Sequence, residues 1–279
     1  MPLTALLNRW KKDPSIAPNI AAWFTVPARN PRWSNFPEEL SEDLKESLGS
    51  AGIRKLYQHQ ESCWLNVREG KNVVLSTGTA SGKSLAYQLP VLDEMLKNQA
   101  STALFLFPTK ALARDQLPFL NHLAHVNAFP YDGDTPQNQR KVIRERANII
   151  ISNPDMLHLG ILPYHTHWAS FFSELKFIIL DEIHTYRGVF GSHVANLLRR
   201  LKRITTHYGS KPQYILTSAT IGNPSQLGSS LIEDDLVLID EDTSSRGEKH
   251  FLIYNPPIID PKFGLRASMQ RESARLADE

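Results

Sequence analysis

The chain has 279 residues, of which 41% are hydrophobic and 22% charged, and its formal net charge is +2. This balance is that of a globular protein and excludes a disordered polyelectrolyte. Its single cysteine, Cys63, excludes an internal disulfide framework and suits a reducing compartment.

Mild basicity permits a nucleic-acid partner without requiring one. No apolar run approaches the roughly 18 residues of a membrane span. The N-terminus carries its apolar residues before its charges, the reverse of a secretory signal. The chain therefore reads as cytoplasmic, with no membrane partner.

Residues 1–50 are rich in proline, with Trp10, Trp23, Phe24, Trp33 and Phe36 spread among them. They read as a leader that packs by aromatic anchors, because a disordered tail is poorer in aromatics. A helix is expected over 38–48, ended by Gly49. A second helical pattern follows the segment LYQHQ at 56–60 and runs to Arg68.

From Lys71 onward short apolar runs alternate with helical patterns. Strands are predicted at 73–76, 103–107, 126–129, 148–152, 177–180, 214–217 and 236–239. Nearly continuous Val/Ile/Leu strands between helices predict an α/β domain: a mostly parallel sheet with helices on both faces. In such sheets ligands bind beyond the carboxyl ends of the strands. The polar clusters at 77–84, 108–110, 153–155, 181–182 and 218–220 all follow predicted strands directly.

The stretch 73–97 organises the rest. The apolar run 73–75 leads into TGTASGKS, and helical spacing resumes at Leu85, Leu89, Leu92 and Leu96, across Pro90. Strand, loop ending Gly-Lys-Ser, then helix is the order of a phosphate-binding P-loop. Thr77, Gly78, Thr79, Ala80, Ser81, Gly82, Lys83 and Ser84 would cradle phosphates with backbone N–H groups and the helix N-terminus. Lys83 would reach the β- and γ-phosphates, and Ser84 would hold Mg²⁺. The loop departs from the usual pattern at its first position, where Thr77 stands for Gly and Gly78 comes one residue late. A plain Ser/Gly turn is the alternative.

The run FIILDEIH at 177–184 is the second anchor. An apolar strand ending in Asp181 places a carboxylate near the metal. Glu182 beside it suits the base that orients and deprotonates an attacking water.

With these two anchors in place, TGTASGKS, FPTKALARDQ, DGDT, SNPDML, DEIH and TSAT stand in one order along the chain. That order resembles the first, ATP-binding RecA-like domain of superfamily 2 DExH-box helicases, a fold of the P-loop NTPase class. LYQHQ, the text DEIHTYRGVFGSHVANLLRRLKRI and the segment SRGEKHFLIYNPP resemble a narrower branch. This is the DNA helicase group of bacterial mitomycin repair factor A and its yeast relative. The resemblance covers roughly residues 20–279.

The resemblance implies an N-terminal leader at 1–50, an ATP-binding domain at 51–242, and a connector at 243–279 toward a second RecA-like domain. ATP and Mg²⁺ are the implied cofactors, with Lys83, Asp181 and Glu182 catalytic and Ser84 and Asp181 at the metal. Gln60 resembles the adenine-recognising glutamine, with Gln58 a competing position and Tyr57 or His59 nearby. His184, Ser218, Ala219 and Thr220 resemble the relay that couples ATP state to domain closure. Thr109, Lys110, Arg114, Gly133, Asp134, Thr135, Asn153 and Asp155 match the motifs that grip the sugar-phosphate backbone of one strand. Such contacts give little base readout, so they do not declare DNA against RNA. DNA, 3′-to-5′ polarity and a role in repair follow from the branch alone.

Two basic clusters, 140–146 and 199–203, read first as solvated helix faces. His165 and His167 read as structural, because no second ligand pair lies near them. Nothing after Thr220 resembles the motifs of a second RecA-like domain, so hydrolysis by these residues alone is expected to be slow. The expected partners are single-stranded DNA and a second RecA-like domain, in trans or in an intact chain. The competing reading is an ATP- and nucleic-acid-binding module without useful turnover. A nucleotide kinase, a third P-loop class, lacks the pairing of DEIH with SAT.

Overall fold

The structure is a computed structural model that describes residues 3–121 and 126–278. Glu279, at the end of the expected connector, and residues 1–2, at the start of the expected leader, lie outside the described residues. Two compact units emerge, Pro31–Ser244 and a smaller one formed by Met1–Asn30 with Ser245–Glu279.

The larger unit is built on a seven-stranded sheet. In chain order its strands are β1 (Val73–Ser76), β2 (Thr102–Leu106), β3 (Ala128–Pro130), β4 (Ile149–Ser152), β5 (Leu175–Leu180), β6 (Gln213–Ser218) and β7 (Val237–Ile239). They lie in the order β7-β1-β6-β5-β2-β4-β3, and every pairing is parallel. The helices that position the site are α1 (Glu42–Ser50), α2 (Gln58–Arg68), α3 (Lys83–Lys97), α4 (Lys110–Asn121), α5 (Gln137–Arg146), α6 (Gly188–His207) and α7 (Pro224–Ile232). Helix α3 continues through Pro90.

The period-2 geometry of the strands divides the core in two. Val73, Leu75, Ala103, Phe105, Ile149, Ile151, Ile179 and Ile215 point to one face, where Leu44, Leu48, Trp64, Leu89 and Leu92 cover them. Val74, Leu104, Leu106, Ile150, Ile178, Leu180 and Leu216 point to the other, against Trp168, Phe172, Leu197, Leu201 and Leu231. Both faces are dry, which is why the strands read as continuous apolar runs rather than alternating ones. Because all strands run the same way, their carboxyl ends share one edge, and the polar clusters gather there.

The smaller unit pairs Ile20–Val26 with Lys249–Tyr254 antiparallel, Phe24 opposite Phe251. Trp23 is held in it by Nε1 donating to His250 Nδ1 at 3.3 Å and by Lys11 over its ring at 4.6 Å. Met269–Ala277 forms a helix beginning after Ser268. Trp33 and Phe36 belong to the larger unit. Trp33 stacks on Tyr57 at 4.4 Å, and Phe36 packs on the core face that α1 covers. No helix among the described residues is long and apolar enough to cross a membrane.

Candidate active site

The phosphate loop leaves β1 at Ser76 and enters α3 at Lys83. Thr77 is fully buried, and its Oγ1 lies 2.7 Å from Ser81 Oγ, which closes the loop on itself. Gly82 takes φ +83°, a left-handed conformation open to glycine. A Cβ there would also lie 2.6 Å from Gln60 Nε2 and would push the glutamine amide aside. Lys83 Nζ donates to the carbonyls of Thr77 at 3.0 Å, Gly78 at 3.4 Å and Ser218 at 3.2 Å. The ammonium thus sits between the loop and the end of β6.

Gln60, not Gln58, is the buried glutamine at the loop. Its Nε2 donates to Gly82 O at 3.0 Å and its Oε1 accepts from Tyr57 N at 2.9 Å. It lines a groove with Trp33, Ile53, Tyr57, Gly82 and Leu85. Tyr57 was marked by the LYQHQ segment, whereas Trp33 and Ile53 had no motif to mark them as walls of this groove.

Asp181 ends β5. Thr217 on the neighbouring β6 donates its hydroxyl to Asp181 Oδ1 and accepts from the backbone N–H of Glu182 at 3.2 Å. Burial pushes the Asp181 carboxyl above its ordinary value of 3.8, and the charge of Glu182 adds to the shift, against the Thr217 hydroxyl and Lys83. Glu182 adopts φ +53°, rare for a residue with a Cβ, in the turn that takes the chain off the sheet.

His184 Nδ1 lies 3.0 Å from Glu182 Oε2 and 3.2 Å from Ala219 N. One nitrogen cannot both donate to the carboxylate and accept from the amide. The amide is a fixed donor, so the neutral tautomer protonated on Nε2 is the consistent one. Glu182 Oε2 is then a buried oxygen without a hydrogen-bond partner, as is Ser218 Oγ. Thr220 is exposed.

A network beside the phosphate loop went unseen in the sequence. Tyr87, fully buried on α3, donates to Gln116 Oε1 at 2.9 Å. Gln88 Nε2 reaches the same oxygen at 2.9 Å. Gln116 sits on α4, the helix that carries Lys110 and Arg114.

Those two cations meet on one carboxylate. Lys110 Nζ lies 2.8 Å from Asp134 Oδ1 and Arg114 Nη2 3.1 Å from Asp134 Oδ2. The Lys110 ammonium, followed by Arg114, holds the Asp134 carboxyl below its usual value. The turn bearing Asp134 is fixed by Asp134 N donating to Asp132 Oδ1 and by Asp132 N donating to Thr135 Oγ1. Thr109 and Gly133 are exposed. After β4, Asn153 Oδ1 accepts from Met156 N at 2.8 Å and caps a short helical turn, leaving Asp155 exposed.

Outside this edge, Arg199 pairs with Glu233 at 2.6 Å, and His165 Nδ1 lies 2.8 Å from the Tyr208 hydroxyl.

A family model described as DEAD/DEAH box helicase matches residues 57–227. The ATP-dependent helicase YprA of Bacillus subtilis is 47% identical over 266 residues, 94% of this chain and 36% of that protein. The ATP-dependent helicase hrq1 of Schizosaccharomyces pombe is 41% identical over 269 residues, 92% of this chain and 25% of that one. A crystal structure of the DUF1998 helicase MrfA bound to DNA and AMPPNP superposes with a TM-score of 0.93 at 45% identity, over 99% of this chain and 39% of that one. The chain therefore spans between a quarter and two-fifths of the length of these relatives. With P-loop, strand-end carboxylates and TSAT turn gathered on one edge of a RecA-like sheet, the chain belongs to the DEAD/DEAH-box helicase family, on the branch of MrfA and Hrq1.

Proposed function

We propose that this chain is the ATP-binding half of an ATP-dependent DNA helicase that works in repair with 3′-to-5′ polarity. It binds Mg-ATP at the phosphate loop and one nucleic-acid strand across the start of α4 at 109–114 and the 133–135 and 153–155 turns. The observation that carries the reading is the convergence at Lys83. Its ammonium bridges the phosphate loop to Ser218 O at 3.2 Å, beside the Asp181 carboxylate that Thr217 holds. The MrfA structure contains both DNA and AMPPNP, which supports the same pair of ligands here. Residues 51–242 would form the catalytic domain, 1–50 its leader and 243–279 the connector. With Cys63 as its only cysteine, buried, the chain suits the cytoplasm.

The residues fit Mg²⁺. Asp181 is buried without a cation partner of its own, because Lys83 bonds to backbone carbonyls, and Glu182 Oε2 has no hydrogen-bond partner. No group of three or more His, Cys, Asp or Glu gathers among the described residues, so the protein supplies few ligands. That suits Mg²⁺, which binds through one or two carboxylates and substrate phosphates and keeps several waters. When bound, the metal would spread the charge of the transferring phosphoryl group. Ser84 and Asp181 would hold it, Lys83 would neutralise the β- and γ-phosphates, and Glu182 would align and deprotonate the attacking water. Gln60 and the groove of Trp33 and Tyr57 would take the adenine. His184 and the 218–220 turn would report nucleotide state to a second domain.

Lys83→Ala tests the reading. Removing the ammonium should weaken Mg-ATP binding severely in calorimetry, and equal affinity for the two proteins would overturn the P-loop assignment. The second reading, a binding module without useful turnover, draws on the chain's share of its relatives. ATPase activity measured after adding a second RecA-like domain in trans separates the two.

A further inference from the structure

A cavity of about 300 Å³ lies on the strand-binding edge, away from the nucleotide groove. That volume is at the lower end for clefts that take small organic ligands. One wall is the turn capped by Asn153, with Pro154, Asp155 and His158. The other is the start of α6, with Phe190 and His193 above the buried Val194 and Leu197. None of these side chains has a part in phosphate or metal binding.

The ring groups are held in place. Phe190 is 43% exposed, and it packs edge-on against the buried Tyr186 at 5.7 Å. The backbone behind it is fixed, since a Cβ at Gly191 would lie 2.5 Å from Tyr186 O. Across the cavity, Arg200 Nη1 of α6 lies 2.6 Å from His158 Nδ1 on the other wall. A guanidinium only donates, so His158 accepts and is neutral, with its remaining proton on Nε2.

We propose that this cavity takes one unstacked nucleobase of the strand whose backbone the 153–155 loop tracks. The inference rests on the strand-tracking reading of that loop. Asp155 belongs both to the loop and to the cavity wall, so a base can turn in without the backbone leaving its track. Phe190, His158 and His193 offer ring faces, and every base has a face to stack on them. Asn196 and Arg200 line the same cavity and supply polar groups for a base edge. An apolar peptide would also fit the walls. The rim, however, runs on along α6 into Arg199, Lys202 and Arg203, beside Glu233, which pairs with Arg199, and the surplus of positive charge favours a polyanion.

The test uses the whole chain and a fluorescent oligothymidylate no longer than its footprint, so that it binds in one register. A series of strands each carries a single abasic site. One position should show an affinity loss of about tenfold, the scale of one stacked base. Phe190→Ala should lower the affinity of the intact strand by a similar factor, abolish that dip and leave the salt dependence unchanged. Phe190→Trp should keep the dip. The double change Lys110→Gln with Arg114→Gln should lower affinity and salt slope yet preserve it.

A flat abasic series with wild-type protein overturns the base pocket, even if Phe190→Ala weakens binding. Binding that is indifferent to the Lys110 and Arg114 changes overturns the strand-tracking reading instead, so the two failures are distinct. If Phe190→Ala does not fold, the wild-type abasic series and Phe190→Trp decide alone.

Discussion

Thr217 holds two consecutive acidic residues with one oxygen: its hydroxyl donates to the Asp181 carboxylate and accepts from the Glu182 amide at 3.2 Å. The contact crosses from β6 to the end of β5, so it ties the TSAT turn to the carboxylates. Thr217→Val keeps the shape and removes both bonds. It should destabilise the fold by about 1–3 kcal/mol, the cost of leaving a buried polar group unsatisfied. It should also weaken Mg-ATP binding, while Thr217→Ser restores both. Denaturant unfolding and calorimetry check this, and wild-type values for the valine variant would remove Thr217 from the site.

Asp181 makes a prediction about pH. Its carboxyl is raised above 3.8 by burial, so the protonated form is favoured in the fold. That contribution is full below the ordinary value and is lost as pH rises through the raised one. At neutral pH the buried charge therefore lowers the stability of the nucleotide-free protein. Asp181→Asn keeps an oxygen for Thr217 and removes the charge. It should raise stability near pH 7 by about 1 kcal/mol, a common gain when a functional site is relieved, while Mg-ATP affinity falls. Thermal melts should show the gap closing as pH falls toward 4. A constant gap, or a loss of stability at pH 7, would contradict the assignment.

Much of this edge could be read from the chain itself. Strands buried on both faces leave continuous apolar runs, so all seven were visible, and a parallel sheet forces their carboxyl ends together. Long-range partners were not. Neither Ile20–Val26 nor Lys249–Tyr254 is among the predicted strands, and nothing local says that they pair. Thr217 looked like the last residue of a strand, because its two partners come from another strand. Tyr87 and Gln116 meet only because α3 and α4 pack side by side. Lys110 and Arg114 could be placed on one helix face from their spacing, but the acid between them could not.

That acid reverses a simple expectation. Asp134 neutralises Lys110 and Arg114 at 2.8 and 3.1 Å. Replacing both cations by Gln should weaken single-strand binding and flatten its salt dependence, since fewer counterions are released. Asp134→Asn should act the other way, freeing both cations and steepening the salt dependence. Fluorescence anisotropy across a salt series reads both. Equal slopes for all three proteins would argue against this groove.

Glu182→Gln separates binding from chemistry. The amide keeps the size of the side chain and loses the base, so Mg-ATP should still bind. In a longer chain with a second RecA-like domain, hydrolysis should fall by about 10²–10⁴-fold, the usual contribution of a positioned base. Near-normal turnover would assign the water to another residue.

The last prediction concerns the 279 residues acting by themselves. The sheet of the larger unit is covered on both faces within residues 31–244, so the chain should fold alone. The nucleotide would touch the loop, the Gln60 groove and the carboxylates but no second domain, so its affinity should be low. No motif after Thr220 resembles one that supplies an arginine finger, a group worth about 10³–10⁵ in rate in other P-loop enzymes. Strand-stimulated ATPase should therefore stay near background. Unwinding should be absent, because translocation needs two domains that close and open on one strand as ATP turns over. The comparison is between this chain and a longer one carrying the second domain, at concentrations where both are monomeric. Robust strand-stimulated turnover by the short chain would place an arginine finger within it, and Arg187, at the N-terminus of α6, and Arg246 would be the first residues to replace.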